Sequence, residues 1–194
     1  DKNKIKAELE NQIYDQFNLK VILDQSLKYG LFPQPHFYSK NTIISYKSDE
    51  VAKSNNAKIY ISIKNLFTPD NIKIKDLTFN KTDFKINSLS YNFFINLLRN
   101  NKSNQEINFI SNKLFFLDQN KEIVFFSNLK KLDFLYQDEI FQKFESKINI
   151  FNIPVTFEAK HNVFEKNFFT EIDSYPLRLN IKGISNYKDN KLDG

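Results

Sequence analysis

Isoleucine returns at every second position in the stretch "AKIYISIK", where Ile59, Ile61 and Ile63 are separated by Tyr60 and Ser62. Ile72 and Ile74 alternate in the same way with Lys73 and Lys75, and Leu77 and Phe79 resume the pattern after a one-residue change of phase at Asp76. Successive side chains of an extended strand point to opposite faces, so a period of two demands a sheet with one buried and one solvated face. The slip at Asp76 predicts a bulge or bend. Shorter runs of the same period predict strands at Thr42–Tyr46, Asp83–Ile86, Glu106–Ile110, Lys113–Leu117, Glu122–Phe126, Lys130–Tyr136, Lys147–Phe151, Val155–Lys160 and Leu177–Lys182, with turns at 68–71, 118–121 and 187–190. Strands so closely spaced point to an antiparallel architecture.

Two stretches change period. Ile5, Leu9, Ile13 and Phe17 recur every fourth residue, which is one apolar stripe on a helix over 4–17, and Asn18 is placed where a left-handed residue ends such a helix. Leu19, Val21 and Leu23 then alternate as a first strand. Leu89, Phe93, Phe94, Leu97 and Leu98 repeat the helical spacing over 88–100, with Ser88 as N-cap. The fold class is therefore mainly β (α+β): a curved antiparallel sheet or groove with an N-terminal amphipathic helix and one inserted helix. A chain of 194 residues reads as one domain, or as one structural segment of a longer protein, with strands over 19–87 and 106–182 around the helices, and is long enough to bury a core.

The residues that perform chemistry are sparse. The two histidines, His36 and His161, stand apart from any nucleophile elbow and read as surface or capping residues. Three isolated glycines cannot build a phosphate loop, and the absence of cysteine removes disulfides, thiolates and zinc–thiolate sites. Asp49/Glu50 and Asp138/Glu139 are sequence neighbours whose side chains diverge, which does not suit paired acid–base work. These features predict no enzyme, no cofactor and no metal. The formal charge is only +5, and lysine outnumbers arginine 26 to 2, so nucleic-acid readout through arginine forks is not expected. The abundance of Lys, Asn, Ile and Phe follows AT-rich codons. No apolar run approaches the roughly 20 residues of a membrane span. Asp1 in place of an initiating Met leaves room for an anchor upstream.

What remains is an apolar face. Ile59, Ile61, Ile63, Ile72, Ile74, Leu114, Phe116, Ile148, Ile150, Val155, Phe157, Leu177, Leu179 and Ile181 are assigned by alternation to the concave face of the sheet. Such a face must hold either core side chains, as in a filled sandwich, or an apolar ligand. In "LKYGLFPQPHFYSK", Gly30, Pro33 and Pro35 form a stiff corner, because proline fixes its own φ and extends the residue before it.

The order of these pieces resembles the N-terminal part of the AsmA family of bacterial envelope proteins. "LKVIL" (19–23) looks like that family's first strand, and "LFPQPHFYSKNTIIS" (31–45) like its P-x-P segment and second strand. "AKIYISIKNLF" (57–67), "NIKIKDLTFNKTDFKIN" (71–87) and "FINLLRN" (94–100) resemble the next strands and the end of the inserted helix. "LFFLDQNKEIVFFSNLKKLDFLYQ" (114–137), "FNIPVTFEAKHN" (151–162) and "YPLRLNIKGISN" (175–186) resemble its later β units. Asn18 and Asp24 stand where relatives often carry glycine. The resemblance implies a periplasmic protein, tethered to the inner membrane by a helix outside this chain, with an apolar groove that binds or passes phospholipid and supports outer-membrane homeostasis. A structural or assembly scaffold for outer-membrane proteins, without bound lipid, is the alternative.

Overall fold

The computed structural model describes residues 2–66, 72–87, 90–100, 104–136, 141–162, 164–165, 167–188 and 191–193. The chain is mainly β. Helix α1 (Lys2–Phe17) leads into two short strands, β1 (Lys20–Ile22) and β2 (Lys28–Gly30), which both pair with β3 (His36–Tyr46). The strands β4 (Asp49–Ile61) and β5 (Ile74–Ile86) follow, then helix α2 (Tyr91–Asn100). After it come β6 (Ile107–Leu117), β7 (Ile123–Tyr136), β8 (Phe141–Ile150), β9 (Ile153–Asn162), β10 (Asn167–Ser174), β11 (Leu179–Lys188) and β12 (Lys191–Asp193). All belong to one curved, unclosed sheet in sequence order, apart from β2, which extends the β1 edge.

The helices occupy the predicted places for the predicted reasons. Leu9, Ile13 and Phe17 are fully buried, and Asn18 ends α1 at φ 51° with its N–H donating to the Tyr14 carbonyl at 2.9 Å. The predicted cap Ser88 lies outside the described residues. The observed cap is an exchange in which Ser90 N–H donates to Asn87 Oδ1 at 2.9 Å and Asn87 N–H donates to Ser90 Oγ at 2.6 Å. Asp24 does not adopt positive φ; its carboxylate accepts the Ser26 N–H and hydroxyl, and these bonds hold its pKa below the usual carboxylate range.

Two expectations are corrected. The sheet is not antiparallel throughout: β5 and β6 run parallel, and α2 is the crossover that a parallel pair requires. The short strand candidates are halves of long strands. Glu106–Ile110 and Lys113–Leu117 fuse into β6, and Glu122–Phe126 and Lys130–Tyr136 into β7. The cause is a crease across the sheet. Asn41, Lys81 and Ser111 have φ of 49°, 54° and 57°, and the β7 register shifts between Leu129 and Lys131. Each irregularity inserts one residue and shifts the buried positions by one, so a continuous strand reads in sequence as two. The slip foreseen at Asp76 is another of these, since Tyr60 pairs with Asp76 but Ile61 with Ile74, and Ile74 and Leu77 are both fully buried.

The proline corner closes the β2–β3 hairpin. Gly30 pairs with His36, Pro35 is buried, and its carbonyl accepts the Ile61 N–H at 3.0 Å, which ties the loop to β4. A Cβ at Gly30 would stand 2.7 Å from the His36 ring, whose Nδ1 lies 2.7 Å from the Gln34 carbonyl. Gly30→Ala is therefore expected to cost about 1–3 kcal/mol in urea unfolding. Most of that cost should vanish in a His36→Ala background, where the ring is gone; an equal cost in both backgrounds would place the strain elsewhere.

Candidate functional site

Cross-strand pairing traces one row of side chains from β4 to β11. It runs Ile59, Leu77, Ile107, Phe134, Phe144, Ala159, Thr170, Gly183. Residues opposite one another share a face, so this row defines the inner face, and both helices lie on it. Tyr136 on this face donates its hydroxyl to the Leu97 carbonyl of α2 at 3.2 Å, and Phe84 meets Phe94 of α2 at 5.7 Å between ring centroids.

Of the fourteen assigned groove residues, eleven lie on inner-face strand positions, but their surroundings differ. Ile59, Ile61 and Ile74 are buried in one cluster with α1 and α2, so this half of the face is filled core rather than groove. Leu114, Phe116, Ile148, Ile150, Val155 and Phe157 are half-buried, and Leu179 and Ile181 are 37% and 50% exposed. Burial thus fades toward β11 and, along the strands, toward the turns after β6, β8 and β10, while Ala159 of β9 and Phe168 of β10 nearer the other end stay buried. Three assignments are corrected. Ile63 sits in a 3-10 turn (Ile63–Leu66), 60% exposed, where Asn65 Oδ1 accepts the Lys73 N–H and ends the strand. Leu177 lies in the turn between β10 and β11, which Pro176 helps to set. Ile72 is buried but precedes β5. Phe125, Ile153 and Ile172 belong to the open part and were not assigned; Ile172 hides in β10, whose inner positions Phe168, Thr170, Ile172 and Ser174 look half polar.

A spine of phenylalanines joins the filled and open halves. Centroid distances are 4.9 Å for Phe79–Phe109, 6.4 Å for Phe109–Phe134, 5.0 Å for Phe134–Phe144 and 5.6 Å for Phe144–Phe157, the last three near edge-to-face. Phe157 faces Ile172 and Ile172 faces Ile181, so the apolar surface continues past the spine.

Beneath the crease runs a buried polar seam. Thr82 Oγ1 donates to Ser54 Oγ at 3.1 Å, and Ser54 Oγ donates to the Asn80 carbonyl at 3.1 Å. Asn112 accepts the Thr82 N–H at 3.1 Å and donates to the Leu129 carbonyl at 3.5 Å, bridging ladder positions that the bulges leave open. The seam fixes the bend and presents nothing to solvent.

The outer face carries a lattice of charge. Asp133, Glu145, Glu158 and Glu171 stand directly opposite one another on β7 to β10. Like charges so placed repel, and lysines between them offset this: Lys131 reaches Asp133 at 2.5 Å, Lys143 reaches Glu145 and Glu158 at 3.2 Å, and Lys182 reaches Glu171 at 3.4 Å. The bond to Asp133 pushes the Lys131 pKa up, and the bond from the Asn180 amide pulls that of Glu171 down.

Both histidines are buried, contrary to expectation. His36 stacks over Gly30 beside Tyr60, and His161 lies on Phe168 at 4.6 Å with Gln142 as a partner. Among the described residues no cluster of acidic or histidine side chains could hold a metal ion, and no helix is long and apolar enough to cross a membrane. A cavity of about 720 Å³ opens between α1 and α2 over Tyr46 and Phe93, with Lys20 and Lys47 at its rim. No protein-family model and no curated protein matches the chain.

Proposed function

We propose that this chain is a non-catalytic envelope protein whose inner face, from β8 to β11, binds or passes the acyl chains of phospholipid. One observation carries the reading: the apolar inner face continues from a fully buried aromatic core onto strands where Phe157, Ile172, Leu179 and Ile181 are only partly covered. Each methylene laid on such a surface contributes about 0.8 kcal/mol, so acyl chains are held without a specific polar contact. Headgroups stay in water at the rim. The AsmA-like order of elements supports the periplasm as the compartment, with an anchor to the inner membrane outside this chain, and a role in outer-membrane homeostasis.

A phospholipid with a photoactivatable acyl chain tests this. Adducts are expected on Val155, Phe157, Ile172 and Ile181 and not on the core residues Leu77 and Phe109. Phe169 and Ile184 are also partly exposed but lie on the outer face of the same strands. Adducts there in equal measure, or none anywhere, would overturn the reading. The scaffold alternative draws on a different observation: β12 covers β11 only at Asn186–Lys188, so among the described residues the rest of that edge is unpaired and available to another strand.

A further inference from the structure

Three alternate hairpins turn at the same end of the sheet: β6–β7, β8–β9 and β10–β11. They adjoin one another there. Phe125 on β7 meets Phe151 of the β8–β9 turn at 5.1 Å, and the Ser174 hydroxyl at the end of β10 donates to the Pro154 carbonyl at 2.8 Å. Each tip exposes large apolar side chains: Val124 is 71% exposed, Phe151 79%, Tyr175 92% and Leu177 53%. A contiguous apolar surface of this kind marks an interaction site.

The β8–β9 turn adds an independent sign. Phe151 and Asn152 have φ of 49° and 66°, the two-residue turn that glycine, asparagine and aspartate favour. A phenylalanine is held in a backbone conformation that bulky side chains rarely adopt, yet beyond its contact with Phe125 it is 79% exposed, so folding gains little from it. The charge pattern narrows the partner. Residues 149–155 carry no charge and residues 174–179 carry only Arg178, whereas the β6–β7 turn carries Asp118, Lys121 and Glu122 and stays in water. Protruding apolar tips with an amphipathic tyrosine and one arginine match the boundary between acyl chains and phosphate headgroups better than a polar protein surface.

We infer that the β8–β9 and β10–β11 tips, flanked by Val124 at the start of β7, form a docking surface for a phospholipid bilayer, with Phe151 and Tyr175 entering the interface and Arg178 meeting phosphate. This surface adjoins the inner face at Phe125, and the inference stands whether or not that face holds lipid. The chain has no tryptophan, so a single Phe151→Trp substitution reports on the tip alone, and Phe164→Trp, at a 74% exposed position in the turn at the opposite end of the sheet, is the matched control. With phosphatidylcholine vesicles doped with phosphatidylglycerol, Phe151→Trp emission is expected to shift to the blue and to be quenched by brominated acyl chains, while Phe164→Trp emission stays that of a water-exposed indole. Val124→Asp and Tyr175→Asp are each expected to lower vesicle binding about tenfold, with unchanged circular dichroism. Arg178→Gln is expected to remove the preference for phosphatidylglycerol. No vesicle-dependent shift at position 151, or equal shifts at both positions, overturns the proposal. A shift that follows protein concentration without vesicles also overturns it, in favour of a second copy of the chain.

Discussion

Phe109→Asp is expected to unfold the protein, whereas Phe157→Asp is expected to leave it folded. Phe109 is fully buried between Phe79 and Phe84, with ring centroids at 4.9 and 5.1 Å. Removing a buried phenylalanine costs about 3–5 kcal/mol. An unpaired carboxylate left in its place adds several more, and the total reaches the roughly 5–15 kcal/mol by which a domain is stable. Phe157 lies on the same aromatic spine but is only half-buried, so a carboxylate there reaches water. Its cost is then mainly the lost apolar contact, about 1–2 kcal/mol. Thermal melting checks both. Unfolding of both variants would mean that the inner face is closed at Phe157 as well, leaving a plain filled core.

Asn112→Ala is expected to be the second most damaging change, although it removes no apolar surface. The carboxamide satisfies the buried Thr82 N–H and the Leu129 carbonyl, and its loss leaves two backbone groups unpaired, at about 1–3 kcal/mol each. Thr82→Val removes a hydroxyl whose partner Ser54 also bonds to the Asn80 carbonyl, so its cost should stay near 1 kcal/mol. Chemical denaturation should therefore rank Asn112→Ala well above Thr82→Val. The reverse order would show that the seam is held by its hydroxyls and not by the bridge across the crease.

The elements were legible in the sequence wherever one period persisted. The stripe Leu9, Ile13, Phe17 and the alternation around Ile59 and Ile74 each depend on local geometry alone. The single slip at Asp76 was legible because isoleucines flank it closely. The crease was not: Ser54, Thr82 and Asn112 occupy buried positions with polar side chains, so alternation broke off at the point where the chain ran on. The strands β5 and β6 read alike in either direction, so the helix between them was the only sequence mark of their parallel pairing. The site divides in the same way. Register placed eleven residues on one face, but which of them are covered depends on where α1 and α2 come to rest, a long-range property that no spacing encodes. His36 and His161 looked peripheral because their partners, Gly30 and Phe168, become neighbours only through pairing of the strands.

The central claim is that the inner face from β8 to β11 takes up phospholipid, and native mass spectrometry of protein purified from bacterial membrane extract tests it most directly. The account predicts an adduct of phospholipid mass on the parent protein. It also predicts loss of that adduct from Phe157→Asp and Ile181→Asp, with the charge-state distribution of a folded chain retained in both. A parent protein that flies without lipid, or an adduct that survives both substitutions, would contradict it.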